Sequence, residues 1–360
     1  MKDIYLNLTN DNKERVDSFP AIDADLQKRI NALFNYLEPE YSISVLEYTA
    51  DKPIRYAERK SSIGYQPGSV GKLAIAVAMI DQLYKIYGEN WESKRALLAS
   101  KFVWAGPWGI PNHHTVPFYD IKKDKYLSRH ITPKDDFSLY EWLDHMISKS
   151  SNAAASILWR EVMLMNEFGE DYECTTQIDA DVFFKKLSKD SLSKLATNLV
   201  NEPLRSLGIG KDEWRLGNFF THGADAIIPG YGGSIGTTKG LMKFMIALEE
   251  GKISDERSSL ELKRLMYATD RRIRYASAKV LDNDAVYFKS GSLYSCMPEP
   301  GFNCKPYAGN KYNYMNSIAI IEKPDSTRYM VALMSNVKKK NSVGEHYGLA
   351  TRIDKIITEN

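Results

Sequence analysis

Apolar positions recur along this chain with more than one period, and the change of period marks out its organisation. Leu26, Ile30, Leu33, Phe34 and Leu37 form one stripe at helical spacing, with Asp23 placed to cap the helix. Ser42 to Tyr48 reads as a strand, Asp51-Lys52-Pro53 as a turn, and Ile54 to Ala57 as a second strand. Leu73 to Ile80 is apolar on every side, which predicts a buried helix stopped at Gly88. Residues 89–136 lose regularity: Trp91, Phe102, Trp104, Trp108, Phe118 and Tyr119 are set among glycines and prolines. Such a stretch either walls a pocket or packs on its own neighbours.

Regularity returns at Ser138, where Glu141 three residues on completes a capping box. Leu139, Trp142, Leu143, Met146 and Ile147 then keep the helical pattern. Ser148 to Asn152 is a short polar joint, and Ala153-Ala154-Ala155 opens another helix; read alone, the joint is a turn and a cap. Residues 164–203 are charged and helical in texture. Five glycines from Gly223 to Gly236 mark a long loop. Thr237-Thr238 caps a helix carrying Leu241, Phe244, Met245 and Leu248, and another helix covers Glu256 to Ala268. From there the texture turns to β. Ala285 to Lys289 is a strand running into Ser290-Gly291-Ser292, and Ser317 to Glu322 with Arg328 to Met334 forms a hairpin. Leu349, Ile353, Ile356 and Ile357 make a final helix.

At 360 residues the chain holds one large domain or two of ordinary size. Forty-eight basic against 46 acidic residues leave a net charge of +2, which predicts neither nucleic acid nor a membrane surface as partner. No apolar run approaches the roughly 18 residues of a membrane span. Met1 to Asn7 lacks the apolar core of a signal peptide, so either the protein is cytoplasmic or a leader is missing from the sequence shown. Three cysteines are too few for a disulfide scaffold; Cys296 and Cys304 are close enough to bridge a loop, which would leave Cys174 free. No cofactor is expected, and no histidine–cysteine cluster has zinc spacing. His113-His114 looks like part of a loop rather than a pair of metal ligands.

Candidate chemistry begins at Pro67-Gly68-Ser69-Val70-Gly71-Lys72. A serine and a lysine three apart share one helix face. If the helix begins at Ser69, its hydroxyl lies where unpaired N–H groups and the positive dipole end favour developing negative charge. Lys72 can take the proton only when neutral, which requires burial or a second cation nearby. A phosphate loop fits poorly: Gln66 holds the leading glycine position, and Leu73 replaces the hydroxyl residue that would hold magnesium.

Three signals then fall in one order: Ser69-x-x-Lys72, Ser150-x-Asn152 and Lys289-Ser290-Gly291. The first opens a buried helix, the second joins two helices, and the third ends a strand before a hairpin and a final helix. Together they resemble the S-x-x-K, S-D-N and K-T-G set of serine β-lactamases and penicillin-binding proteins, closest to class A in layout. The resemblance runs from about residue 23 to the C-terminus, most closely over Phe137–Ala155 and Ser234–Lys243. It implies an α/β (α+β) fold, an antiparallel sheet flanked by N- and C-terminal helices. Residues 1–62 and 272–360 would form this α/β domain, with an all-α domain of 63–271 inserted.

The same resemblance implies an acyl-enzyme mechanism on amide or ester bonds of a small-molecule or peptide substrate, as in a β-lactamase or D-alanyl-D-alanine peptidase. It also implies an extracytoplasmic location. Ser69 would be the nucleophile, Lys72 its base, and Lys289 a second cation keeping Lys72 neutral. Ser150 would relay the proton to the leaving nitrogen, and Asn152 would bind the substrate's amide side chain. The N–H groups of Ser69 and Ser292 would form the oxyanion hole, at about 3–4 kcal/mol per donor. Ser290 would take the substrate carboxylate with Arg274, beside Gly291. Glu213-x-x-Leu216 matches the first four positions of E-x-x-L-N, making Glu213 the candidate base for deacylation, but Gly217 stands where the asparagine belongs. The alternative is a non-catalytic penicillin-binding sensor that is acylated without turnover.

Overall fold

The structure is a computed structural model and describes residues 3–9 and 18–359. Met1 and Lys2, part of the N-terminal segment read above, lie outside them.

The strands are β1 (Tyr41–Glu47), β2 (Arg55–Arg59), β3 (Phe102–Trp104), β4 (Thr115–Asp120), β5 (Lys125–His130), β6 (Asp136–Ser138), β7 (Trp214–Arg215), β8 (Ile235–Gly236), β9 (Ala285–Ser295), β10 (Tyr312–Glu322) and β11 (Arg328–Asn336). The first half of the helices comprises α1 (Ala24–Ala32), α2 (Lys72–Tyr87), α3 (Trp91–Ser100), α4 (Leu139–Ile147) and α5 (Asn152–Phe168). The rest are α6 (Gln177–Lys186), α7 (Lys189–Ser206), α8 (His222–Ile227), α9 (Thr238–Glu249), α10 (Glu256–Tyr267) and α11 (Val343–Thr358).

Both chain ends build one antiparallel sheet in the order β2-β1-β11-β10-β9. Its faces separate by strand alternation. Ile43 and Val45 sit opposite Leu333 and Val331 and pack with Leu26, Ile30, Leu349 and Ile353 of α1 and α11. Leu46 with Met330, and Ser44 with Ala332, face the other way, where α9 packs. Every residue of β1 is therefore buried, because helices cover both faces.

The residues between the sheet's two parts are mainly helical. α2 is their axis: Lys72 through Ile80 is buried without a break, packed on α5 and α7. The expected capping residues act as such: Asp23 accepts from Leu26 N–H, Ser138 and Glu141 close a capping box, and Thr237 accepts from Gly240 N–H. Residues 89–136, which showed no regular period, hold α3, the β3–β6 pair and the β4–β5 hairpin. Hairpin pairing satisfies the backbone there, while side chains such as Tyr119 and Tyr126 stay largely outside. Cys296 and Cys304 are bonded across the β9–β10 connection, and Cys174 is free and exposed. No helix among the described residues is long and apolar enough to cross a membrane.

Candidate active site

Three segments converge on one cleft of about 800 Å³. The first is the turn Gly68–Gly71, which is 3₁₀ and passes into α2 at Lys72, so Ser69 precedes the α-helix by one tight turn. Close approach to β9 forces this path. A Cβ on Gly68, whose φ is +56°, would meet Ser292 N at 2.7 Å, and one on Gly291 would meet Ser69 N at 2.9 Å and Pro67 O at 2.2 Å. The backbones of Gly68–Ser69 and Gly291–Ser292 therefore touch with nothing between them. Asn316 of β10, fully buried, ties the turn down by donating to Gln66 O (2.9 Å) and Pro67 O (3.0 Å).

The second segment is the joint between α4 and α5. Ser150 adopts a left-handed backbone (φ +60°), a conformation costing of order 1–3 kcal/mol for a non-glycine residue. Ser151 then caps α5 on Ala154 N–H. The third is β9, whose pairing of Lys289 with Ile318 and Gly291 with Asn316 sets Lys289, Ser290, Gly291 and Ser292 along the cleft edge.

Lys72 is the hub and is fully buried. Its Nζ lies 2.8 Å from Ser69 Oγ, 2.6 Å from Ser150 O, 2.7 Å from Asn152 Oδ1 and 3.4 Å from Ser150 Oγ. A neutral amine has two donors and one lone pair. Ser150 O and Asn152 Oδ1 can only accept, so they take both donors, and the lone pair is left for the Ser69 hydroxyl to donate to. Lys289, also buried, donates to Ser150 Oγ at 2.8 Å.

Burial, then the charges of Lys289 and Arg271, hold the Lys72 ammonium well below the usual lysine range. Burial, with Arg271 and Arg274, pushes Lys289 down to about 7. Arg274 is itself buried, with a left-handed backbone (φ +57°) and Nη1 donating to Gly291 O at 2.8 Å. Burial brings it down to about 10.

Ser69, Ser150, Asn152, Ser290, Gly291, Ser292 and Arg274 thus line one cleft, with Lys72 and Lys289 bonded to it from beneath. Glu213 is not brought to them. Its carboxylate accepts from Lys243 Nζ (2.7 and 2.8 Å) and Gly210 N–H (2.7 Å), outside the cleft lining. Burial raises its pKa, but the bonds from Lys243 and Gly210 outweigh that and hold it low. Gly217 has no room for an asparagine, since a Cβ there would meet Gly232 O at 2.3 Å where the loop folds back on itself. The loop reaches Lys72 later, through Phe220, whose ring centroid lies 5.0 Å from Nζ. Of the described carboxylates, only Asp225 and Asp270 line the cleft, and Asp270 pairs with Lys149.

Sequence reasoning missed Asn316, Phe220, Arg271 and Asn112. Asn316 did carry a signal, a polar residue leading into the apolar run Ile318–Ile321 of a buried strand. Asn112 and Phe220 carried none, because only the loop paths bring them inward.

No curated protein sequence matches the chain. Solved structures share its fold at low identity. A β-lactamase from Chitinophaga pinensis has 14% identity and TM-score 0.60, covering 93% of this chain and 99% of that one. A class A β-lactamase representative from Bacteroides cellulosilyticus has 15% and 0.58, covering 92% and 97%. A PBP-A variant solved as an acyl-enzyme complex with penicillin G has 14% and 0.58, covering 95% and 99%. A sequence model of the beta-lactamase enzyme family matches residues 115–358, which takes in the Ser150 and Lys289 segments and more than half of the whole. On that match the chain belongs to the beta-lactamase enzyme family.

Proposed function

We propose that the protein is a serine hydrolase that forms an acyl-enzyme on Ser69, of β-lactamase or D-alanyl-D-alanine peptidase type. The observation carrying this reading is the Lys72 amine, buried, with two acceptors for its donors and Ser69 Oγ at 2.8 Å on its remaining side. In this reading Ser69 Oγ attacks the substrate carbonyl carbon while its proton passes to Lys72 Nζ. The oxyanion is held by the N–H groups of Ser69 and Ser292. The C–N bond breaks as the Ser150 hydroxyl gives its proton to the leaving nitrogen and is reprotonated from the lysine pair. An ester on Ser69 remains, and water releases it as the carboxylic acid. Asn152 holds the substrate's amide side chain, and Ser290 with Arg274 its carboxylate.

A second reading, an acylated sensor with little turnover, is favoured by the loop over Lys72. An aromatic ring covers the amine there, and Glu213 is bound to Lys243 instead. Both readings predict an adduct; they differ in its lifetime. Intact mass after a penicillin pulse, followed over time beside turnover of a chromogenic cephalosporin, separates them. The expected result is one penicillin on the wild type, none on Ser69→Ala, and a burst followed by slow release. Undiminished labelling of Ser69→Ala would discard the assignment of the nucleophile.

A further inference from the structure

The segment between α3 and α4 lines the cleft with His113, His114, Thr115 and Ser128, and it grips the start of α5 through Asn112. Its Oδ1 accepts from Asn152 N–H at 3.1 Å and from Ala153 N–H at 3.4 Å, and its Nδ2 donates to His114 O at 2.9 Å. The first N–H groups of a helix have no partner within it. In α5 the cap Ser151 satisfies only Ala154 N–H, so Asn112 supplies the acceptor for the other two. These two amides belong to the turn that carries Asn152 Oδ1 to Lys72 Nζ.

The backbone bearing Asn112 is itself pinned. Gly223 N–H donates to Ile110 O at 2.6 Å, and the Thr221 hydroxyl to Trp108 O at 2.5 Å. A Cβ on Gly223 would come within 2.0 Å of Pro107 O, so loop and segment are in backbone contact. On the other side, the left-handed Ser150 has to be held in place by its surroundings.

Building on the acyl-enzyme reading, we propose that Asn112 is a positioning residue. By gripping the first turn of α5 it fixes Asn152 and Ser150, which together hold the Lys72 amine with its lone pair toward Ser69. It touches neither Ser69 nor Lys72 and acts through Asn152.

The test compares acylation by a fluorescent penicillin in wild type, Asn112→Ala and Asn112→Asp across pH, with rates taken per folded molecule from thermal unfolding. Alanine removes the acceptor. A misplacement of about 1 Å at a reacting group loses on the order of a hundredfold, so the maximal rate should drop by about ten- to a hundredfold. Aspartate keeps the acceptor and adds a charge suited to a helix N-terminus, so it should recover most of that loss at high pH. Its charge, within about 9 Å of Lys72, should move the acylation midpoint up by about one pH unit. A merely structural asparagine predicts instead a lower unfolding midpoint in Asn112→Ala with the wild-type maximal rate per folded molecule. Wild-type rates in Asn112→Ala, or an aspartate variant no better than alanine at every pH, would overturn this inference alone. A wild-type chain that takes no label would overturn the acyl-enzyme reading, and this inference with it.

Discussion

Replacing Lys289 by glutamine tests whether a second cation keeps Lys72 neutral. Ser150 Oγ lies 2.8 Å from Lys289 Nζ and 3.4 Å from Lys72 Nζ, so the two nitrogens stand no more than about 6 Å apart. Two unit charges at that separation repel by about 3 kcal/mol at an effective dielectric of about 20, equivalent to about two pKa units. Burial remains the larger influence on Lys72, ahead of the charges of Lys289 and Arg271. Lys289→Gln should therefore raise the apparent pKa of acylation by up to about two units without restoring an ordinary lysine.

The sign fixes where the effect is seen. Lys289 carries its charge below about pH 7, so acylation should fall most there, by up to about a hundredfold near pH 6. At high pH, where both amines are neutral, only the lost hydrogen bond to Ser150 should slow the variant. Because the lysines interact, the measured value belongs to the pair. Stopped-flow acylation by a chromogenic cephalosporin between pH 5 and about 10 reads both limits. A variant slowed equally at all pH values would show that Lys289 acts through Ser150 alone and would refute the electrostatic argument.

Glu213→Gln should leave the lifetime of a penicillin adduct unchanged, because the carboxylate serves Lys243 and Gly210; mass spectra after a pulse check this, and a ten- to hundredfold longer lifetime would bring Glu213 back as a base. Phe220→Ala should shorten the adduct's life several-fold while raising the acylation midpoint, since it opens both the ester and Lys72 to water; the same mass time course and pH series read the two effects. His346, wholly buried against Ser335, is pushed down to about 3 by burial and then by Arg274. A histidine lowered in this way adds stability that is complete above its unfolded value of about 6.5 and is lost as pH falls toward 3. Unfolding free energies from urea titrations at pH 7 and pH 4 should therefore differ by on the order of a few kcal/mol in the wild type and by less in His346→Gln.

The half of this site proposed to acylate was legible in the sequence because its residues lie in or beside regular elements with their own local signatures. Ser69 and Lys72 lead into an apolar helix, Ser150 and Asn152 stand at the joint before α5, and Lys289 follows the apolar run 285–288 within β9. The neighbouring helices and strand fix where these segments meet, although Ser69 itself sits in a 3₁₀ turn and Ser150 in a left-handed joint. The loop from Ile209 to Gly236 offers no such rule. A match to E-x-x-L-N counts residues, but the loop's path decides which of them reaches Lys72, and that path turns on Gly217 crossing Gly232. The side chain over the amine comes seven residues after Glu213. The same blindness hid Asn112, which lies in a proline-rich stretch with no period, yet takes two amides of α5.

Phe220 also links the two halves of the proposed reaction in a way that neither residue type nor spacing suggests. A ring face about 5 Å from an ammonium attracts it by roughly 0.5–2 kcal/mol, which alone would raise the Lys72 pKa. Burial of the nitrogen opposes this and, with the charges of Lys289 and Arg271, wins, holding the ammonium well below the usual lysine range. A neutral amine promotes acylation. In the proposed reaction the ester forms on Ser69 Oγ, 2.8 Å from that nitrogen, in the cleft that Phe220 also lines. Hydrolysis needs a water held there and a base to activate it, a pairing typically worth about 10²–10⁴ in rate. Shielding that prepares the base for the first step thus withholds the reactant of the second. In the proposed reaction one side chain thus favours acylation and slows release, and this is why Phe220→Ala should move the two rates in opposite directions near neutral pH.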